Sequence, residues 1–112
     1  MLIAIPIDNN KLDLHFGHCK KFALMKVDLK GKKILSREDI NAPPHEPGLL
    51  PPWLTKLGTT MVIAGGMGQR AQVLFNKNNI KVLVGAPQKS PENLVSQYLK
   101  GELKLGENCC DH

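Results

Sequence analysis

Apolar positions fall into short unbroken runs, separated by polar stretches marked with glycine, asparagine or proline. Leu2-Ile3-Ala4-Ile5-Pro6-Ile7 shows no alternation, the pattern of a strand covered on both faces. Pro6 cannot donate a ladder hydrogen bond, so that strand is expected to end or bulge near it. Phe22-Ala23-Leu24-Met25-Lys26-Val27 and Lys33-Ile34-Leu35-Ser36-Arg37 read as two further strands. The five residues between them include Gly31 and suit a hairpin turn. Antiparallel pairing therefore belongs to the first third of the chain.

Residues 41–52 contain five prolines and begin as an irregular loop. Proline is tolerated in the first turn of a helix, so Pro51 or Pro52 can start a short one through Leu57. Leu50, Trp53, Leu54 and Leu57 share a face of it, and Gly58 suits its end. Thr60-Met61-Val62-Ile63-Ala64 reads as a buried strand, followed by Gly65-Gly66-Met67-Gly68 and a helix ending near Lys77. Lys81-Val82-Leu83-Val84 is another buried strand. Ser90-Pro91-Glu92 marks a helix start: a serine cap, proline in the first turn, and an acid at the positive dipole end. That helix should run to about Leu99.

The order β-β-β-α-β-α-β-α predicts a mixed five-stranded sheet, parallel in its second half, with helices on its faces. At 112 residues the chain suits a single domain, expected over residues 1–105, with 106–112 as a mobile tail. Its 42 % hydrophobic and 22 % charged content is ordinary for a soluble protein. No apolar run approaches membrane-spanning length, and the start lacks the basic character of a signal peptide. A cytoplasmic protein without a membrane partner is expected.

The formal charge of +5 favours an anionic partner. The basic residues are scattered and aromatics make up only 4 %, which disfavours nucleic acid. Three cysteines cannot form a complete disulfide set, and Cys109 and Cys110 are adjacent. In a reducing compartment they remain thiols, free to bind metal.

The candidate chemistry is soft-donor chemistry. His15, His18 and Cys19 fall within five residues, and imidazole and thiolate are ligands that transition metals favour. Gly17 lets this loop bend and Phe16 can anchor it to the core. The spacing is no standard zinc signature. The residues alone thus leave two readings: a ligand loop, or a buried cysteine with two solvent-facing histidines. Cys109, Cys110 and His112 form a second donor-rich stretch whose value depends on folding back. His45, beside Glu46, is either a solvated loop residue or a ligand approaching from the opposite side. Gly65, Gly66, Met67 and Gly68, at a strand-to-helix junction, can present amides to an anion or simply make a tight turn. They fit neither the P-loop nor the dinucleotide fingerprint. Dispersed acids argue against a magnesium-dependent nuclease.

Several blocks in order resemble one family: Leu2-Ile3-Ala4-Ile5-Pro6, His15-Phe16-Gly17-His18-Cys19 with Phe22, His45-Glu46-Pro47-Gly48-Leu49-Leu50-Pro51 with Trp53-Leu54, and Val62-Ile63-Ala64-Gly65-Gly66-Met67-Gly68 with Ala71. The chain resembles the dinitrogenase iron–molybdenum cofactor biosynthesis family, the NifX-like and NifB C-terminal-like carriers, over nearly its whole length. The resemblance implies an α/β fold, a three-layer α/β/α ribonuclease-H-like motif with sheet order 3-2-1-4-5 and strand 2 antiparallel. It implies binding of iron–sulfur or molybdenum-containing clusters, or of their precursors, without turnover. His15 matches the histidine implied as a cluster contact, and Cys19 matches a cysteine many members place just after it. His18 stands where a basic residue is common. Cys109, Cys110 and His112 correspond to the variable Cys/His tails of stand-alone members.

The expectation is a non-enzymatic carrier of an iron–sulfur or molybdenum–iron–sulfur cluster that exchanges it with a donor or acceptor protein. A mononuclear zinc or other metal module, structural or regulatory, is the alternative. An enzyme acting on a phosphorylated or nucleic-acid substrate comes third.

Overall fold

The N-terminal apolar run becomes the middle of a sheet. A computed structural model describes residues 1–14, 16, 19–44, 46 and 48–107. The elements in chain order are β1 (Leu2–Asp8), β2 (Lys11–Leu12), β3 (Lys21–Asp28), β4 (Lys33–Asn41) and α1 (Leu50–Lys56). They continue with β5 (Met61–Ile63), α2 (Gln69–Lys77), β6 (Lys81–Leu83) and α3 (Pro91–Leu99). The sheet runs β4-β3-β1-β5-β6, with β2 paired to β1. β3 is antiparallel to both β1 and β4, whereas β5 and β6 extend the sheet in parallel.

Both faces of the sheet are covered, which is why its central strands are apolar without alternation. On one face Ile3, Ile5, Met25 and Ile63 pack with Leu94, Val95 and Leu99 of α3. On the other, Ala4, Phe22, Leu24 and Val62 pack with Leu54 of α1 and Phe75 of α2. The start of α3 is capped as its sequence predicts, the Asn93 amide donating to Ser90 Oγ at 3.3 Å. Among the described residues no helix is long and apolar enough to cross a membrane.

Three expectations are corrected. β1 does not stop at Pro6 but runs to Asp8, pairing Pro6 with Phe22. The Pro6 carbonyl accepts from the Asp13 amide on the edge that β5, paired only at Ile3 and Ala4, has already left. A residue's N–H and C=O share a strand edge, so the missing donor costs no bond to β5. Among the described residues the sheet also has six strands rather than five, because Asn9 and Asn10 adopt φ of 51° and 63° and turn the chain back into β2. Asparagine tolerates that left-handed region, and hairpins of this kind use it at both central positions. Finally, β4 extends to Asn41 instead of Arg37. Its register shifts so that Ile34 faces Val27 and Ser36 faces Lys26, leaving Leu35 as the extra residue of a bulge.

Candidate functional site

The loop that follows β2 is anchored by one aromatic side chain. Phe16, 6 % exposed, sits edge-on to Phe22 of β3 at a centroid distance of 5.7 Å and to Phe75 of α2 at 5.6 Å. Phe22 in turn meets Trp53 of α1 at 5.8 Å. Edge-to-face rings of this spacing add specificity to burial. The loop is thus pinned between β3 and α2 at its midpoint, as its sequence suggests.

Beside Phe16 opens a cavity of about 480 Å³. Three segments enclose it: Phe16, Cys19 and Lys20 from the first loop, Ala42–Pro44 with Glu46 and residues 48–51 from the proline segment, and Ala71, Leu74 and Phe75 from α2. Among the described residues its walls are largely apolar, and Cys19, Lys20 and Glu46 supply its side-chain functional groups. Cys19 is a half-buried free thiol packed against the aromatic face of the core. Burial first, and then the negative charge of Asp13, push this thiol up to about 12. At neutral pH it is protonated, so a metal that takes its sulfur must displace the proton.

The glycine stretch is set deeper. Gly65, Gly66 and Met67 are buried, and Gly68 is the N-cap of α2 with φ −63° and ψ 150°. A β-carbon at Gly65 would lie 2.5 Å from Leu14 Cδ2, so a larger residue there must displace the end of the Leu14 side chain. The Gly65 carbonyl accepts from the Gly85 amide at 3.0 Å, and the Met67 carbonyl accepts from Gln72 Nε2 at 2.9 Å. None of residues 65–68 lines the cavity, although Ala71, in the first turn of α2, does.

Of the sequence-predicted donors, Cys19 lies on the cavity wall. His15, His18, His45, Cys109, Cys110 and His112 fall outside the described residues, as do Gly17 and Pro47. Their sequence neighbours are informative: Phe16 lies between His15 and His18, Pro44 and Glu46 flank His45, and all three line this same cavity. Among the described residues no three of His, Cys, Asp and Glu gather into a metal-sized group.

Sequence reasoning missed the cavity itself. Its signal is the proline-rich segment, which by sequence reads as an irregular loop leading into a short helix, with His45 either solvated or a ligand from the opposite side. A second hollow of about 350 Å³, lined by Asp8, Asn9, Lys21, Arg37 and Asp39, shares Lys20 with the first.

Comparison with known proteins matches residues 1–101 to the family model described as dinitrogenase iron-molybdenum cofactor. An uncharacterized protein of Methanocaldococcus jannaschii is 29 % identical over 110 residues, which span 96 % of this chain and 92 % of that protein. The crystal structure of PH0822 superposes with a TM-score of 0.89 at 25 % identity, covering 100 % of each chain. The apo form of the orange protein from Desulfovibrio gigas shares the fold, with a TM-score of 0.72 at 20 % identity over 96 % of this chain and 93 % of that one.

Proposed function

This chain belongs to the dinitrogenase iron-molybdenum cofactor family, and from that premise we propose that it carries a metal–sulfur cluster, or its anionic precursor, as cargo during cofactor assembly. The observation that supports this reading is the convergence of sequence segments. The chain around His15, His18 and Cys19 and the chain around His45 border one cavity, through Phe16, Cys19, Pro44 and Glu46. Cys19 supplies a thiolate once its proton is displaced, and His15, with His18 or His45, supplies imidazole nitrogen. Few protein ligands leave the cargo open to exchange with a donor or acceptor protein, as a carrier requires. The first turn of α2 and Lys20 favour a negatively charged cargo at this cavity. The largely apolar wall suits a sulfide-rich surface more than a hydrated oxyanion. Handling of this kind needs no turnover, and it suits a reducing cytoplasm.

Anaerobic reconstitution with iron and sulfide, with and without molybdate, tests the proposal through absorption spectra and metal counting. Wild type should take up iron with sulfide-to-metal absorption, and the His15→Ala/Cys19→Ser variant should lose most of it. Equal loading of the two, or uptake of zinc alone, overturns the reading.

A further inference from the structure

Lysines that are scattered along the sequence are gathered by the topology. β5 and β6 run parallel to β1, so Met61 lies level with Ile3, and Lys81 with Met61. α1 returns the chain to that end of the sheet through Lys56, and α2 returns it through Lys77, the last residue of each helix. The hairpin of β3 and β4 turns there too, with Lys26 opposite Leu2 and Lys33 opposite Asp28. Its turn carries Lys30 and Lys32. α3 begins at the far end, where the Leu12 amide donates to the chain just before it at 2.9 Å, and finishes on Lys100. Asp28 and Glu102 stand beside these eight exposed lysines, whereas the other seven basic residues are matched by seven acids over the rest of the described chain. Among the described residues ion pairs form at Arg37, and none of the eight lysines takes part in one.

Like charges crowded at one end repel one another and weaken the fold, so folding does not account for them. The helix dipole accounts for Lys56 and Lys77, in the last turns of α1 and α2, but not for the lysines of the hairpin or of β6. Two leucines stand exposed at the same end, Leu29 at 53 % in the turn and Leu57 at 40 % just after α1. We infer that this end of the sheet docks the acidic face of a partner protein, with the two leucines as its apolar contacts. The candidate cavity lies toward the other end, beside Lys20 and the first turn of α2, so a docked partner leaves it open. The make-up of the surface favours protein over nucleic acid or lipid. Every cation in it is a lysine, which meets a carboxylate as a hydrated point charge, whereas arginine supplies the fork that suits phosphate. Among the described residues no aromatic ring is exposed, so the surface offers neither a platform for a base nor an anchor for a membrane interface. Exposed pairs are individually weak and steer encounter more than they hold it, so the association is reversible and salt-sensitive.

The surface lies apart from the cavity, so metal-free protein tests it whatever the cavity holds. Polyglutamate of about 20 residues, titrated at physiological ionic strength, should shift the amide resonances of residues 29–33, 56–58 and 77–81. Those of residues 9–12 and 69–71, at the other end, should stay in place. Lys30→Gln/Lys56→Gln/Lys81→Gln should weaken the binding about tenfold. Lys11→Gln/Lys21→Gln/Lys89→Gln, with the same loss of charge, should weaken it less than about twofold. All six positions are exposed, so both variants keep the fold. Absent binding, shifts spread over both ends, or equal weakening by the two variants overturns the docking surface. Tighter binding of an oligothymidylate of equal charge, or of phosphatidylglycerol vesicles, overturns an acidic protein as its occupant.

Discussion

At position 65 a methyl group would be too much. The side-chain space belongs to Leu14, so Gly65→Ala must displace the end of that side chain, at a cost of about 1 kcal/mol, the low end of overpacking. Because the clashing atom is the far end of a flexible side chain, Gly65→Ala/Leu14→Ala should recover part of that loss. A urea-unfolding double-mutant cycle measures the coupling; additive effects would show that the contact is not the reason for glycine. Cys19 makes a second residue-scale case. Its raised thiol pKa means that the folded, metal-free protein holds a proton which the unfolded chain releases near 9.0. Stability from this group is therefore intact below that value and declines as pH rises toward about 12. In the Cys109→Ser/Cys110→Ser background, iodoacetamide should modify native Cys19 at mildly alkaline pH at least about tenfold more slowly than the denatured chain. Equal rates would show that the thiol is neither desolvated nor held neutral. The sequence alone shows a cysteine beside two histidines; the neighbours that set its ionisation, Asp13 included, act through folding.

Among the elements, Phe16 anchors the first loop to the core and a charged clasp joins β4 to α3. Phe16→Ala removes an aromatic contact with both β3 and α2 and should cost about 3 kcal/mol by urea unfolding. The same variant should weaken cargo loading, because the ring separates the two histidines of the loop. Arg37 of β4 spans to α3, holding Asp39 through Nε at 2.7 Å and Glu92 through Nη1 at 2.6 Å. Its hydrogen bond keeps the Glu92 carboxyl below its usual 4.5. The pair's contribution is present above that ordinary value and is lost as pH falls through the lowered native one. Both acids are largely exposed, so Arg37→Ala should cost only about 0.2–1 kcal/mol at neutral pH. The difference from wild type should vanish in acid, and a pH-independent gap would rule out this account. The helix that carries Glu92 was legible from Ser90-Pro91-Glu92, because capping is local chemistry. The salt bridge was not, since its partners lie 55 residues apart.

For the whole molecule, the longer sheet edge is the vulnerable feature: among the described residues β4 has a neighbour on one side only. The edge is defended by the bulge at Leu35 and by Lys33, Arg37, Glu38 and Asp39 along the strand. Unpaired edges recruit other strands, and bulges and charges discourage this. Deleting Leu35 restores regular pairing between Ile34↔Val27 and Ser36↔Lys26, and should make the protein self-associate in light scattering. A monomeric deletion variant would show that the bulge has no such protective role. The strand pattern of Lys33 to Arg37 was visible in the sequence. The bulge was not, because register belongs to two strands at once.

By itself, the sequence determined what local and periodic forces control: the apolar strands, the capped helix at Ser90, the hairpin in the first third, and the family, through blocks spread along the chain. Tertiary structure alone decided how Pro6 escapes its missing hydrogen bond, that the proline segment walls a cavity with Cys19, and that Gly65 meets Leu14 and Gly85. These depend on which distant backbones arrive at the same place. A residue's hydrophobicity and torsional preference are its own properties, but the space around it is set by the rest of the folded chain.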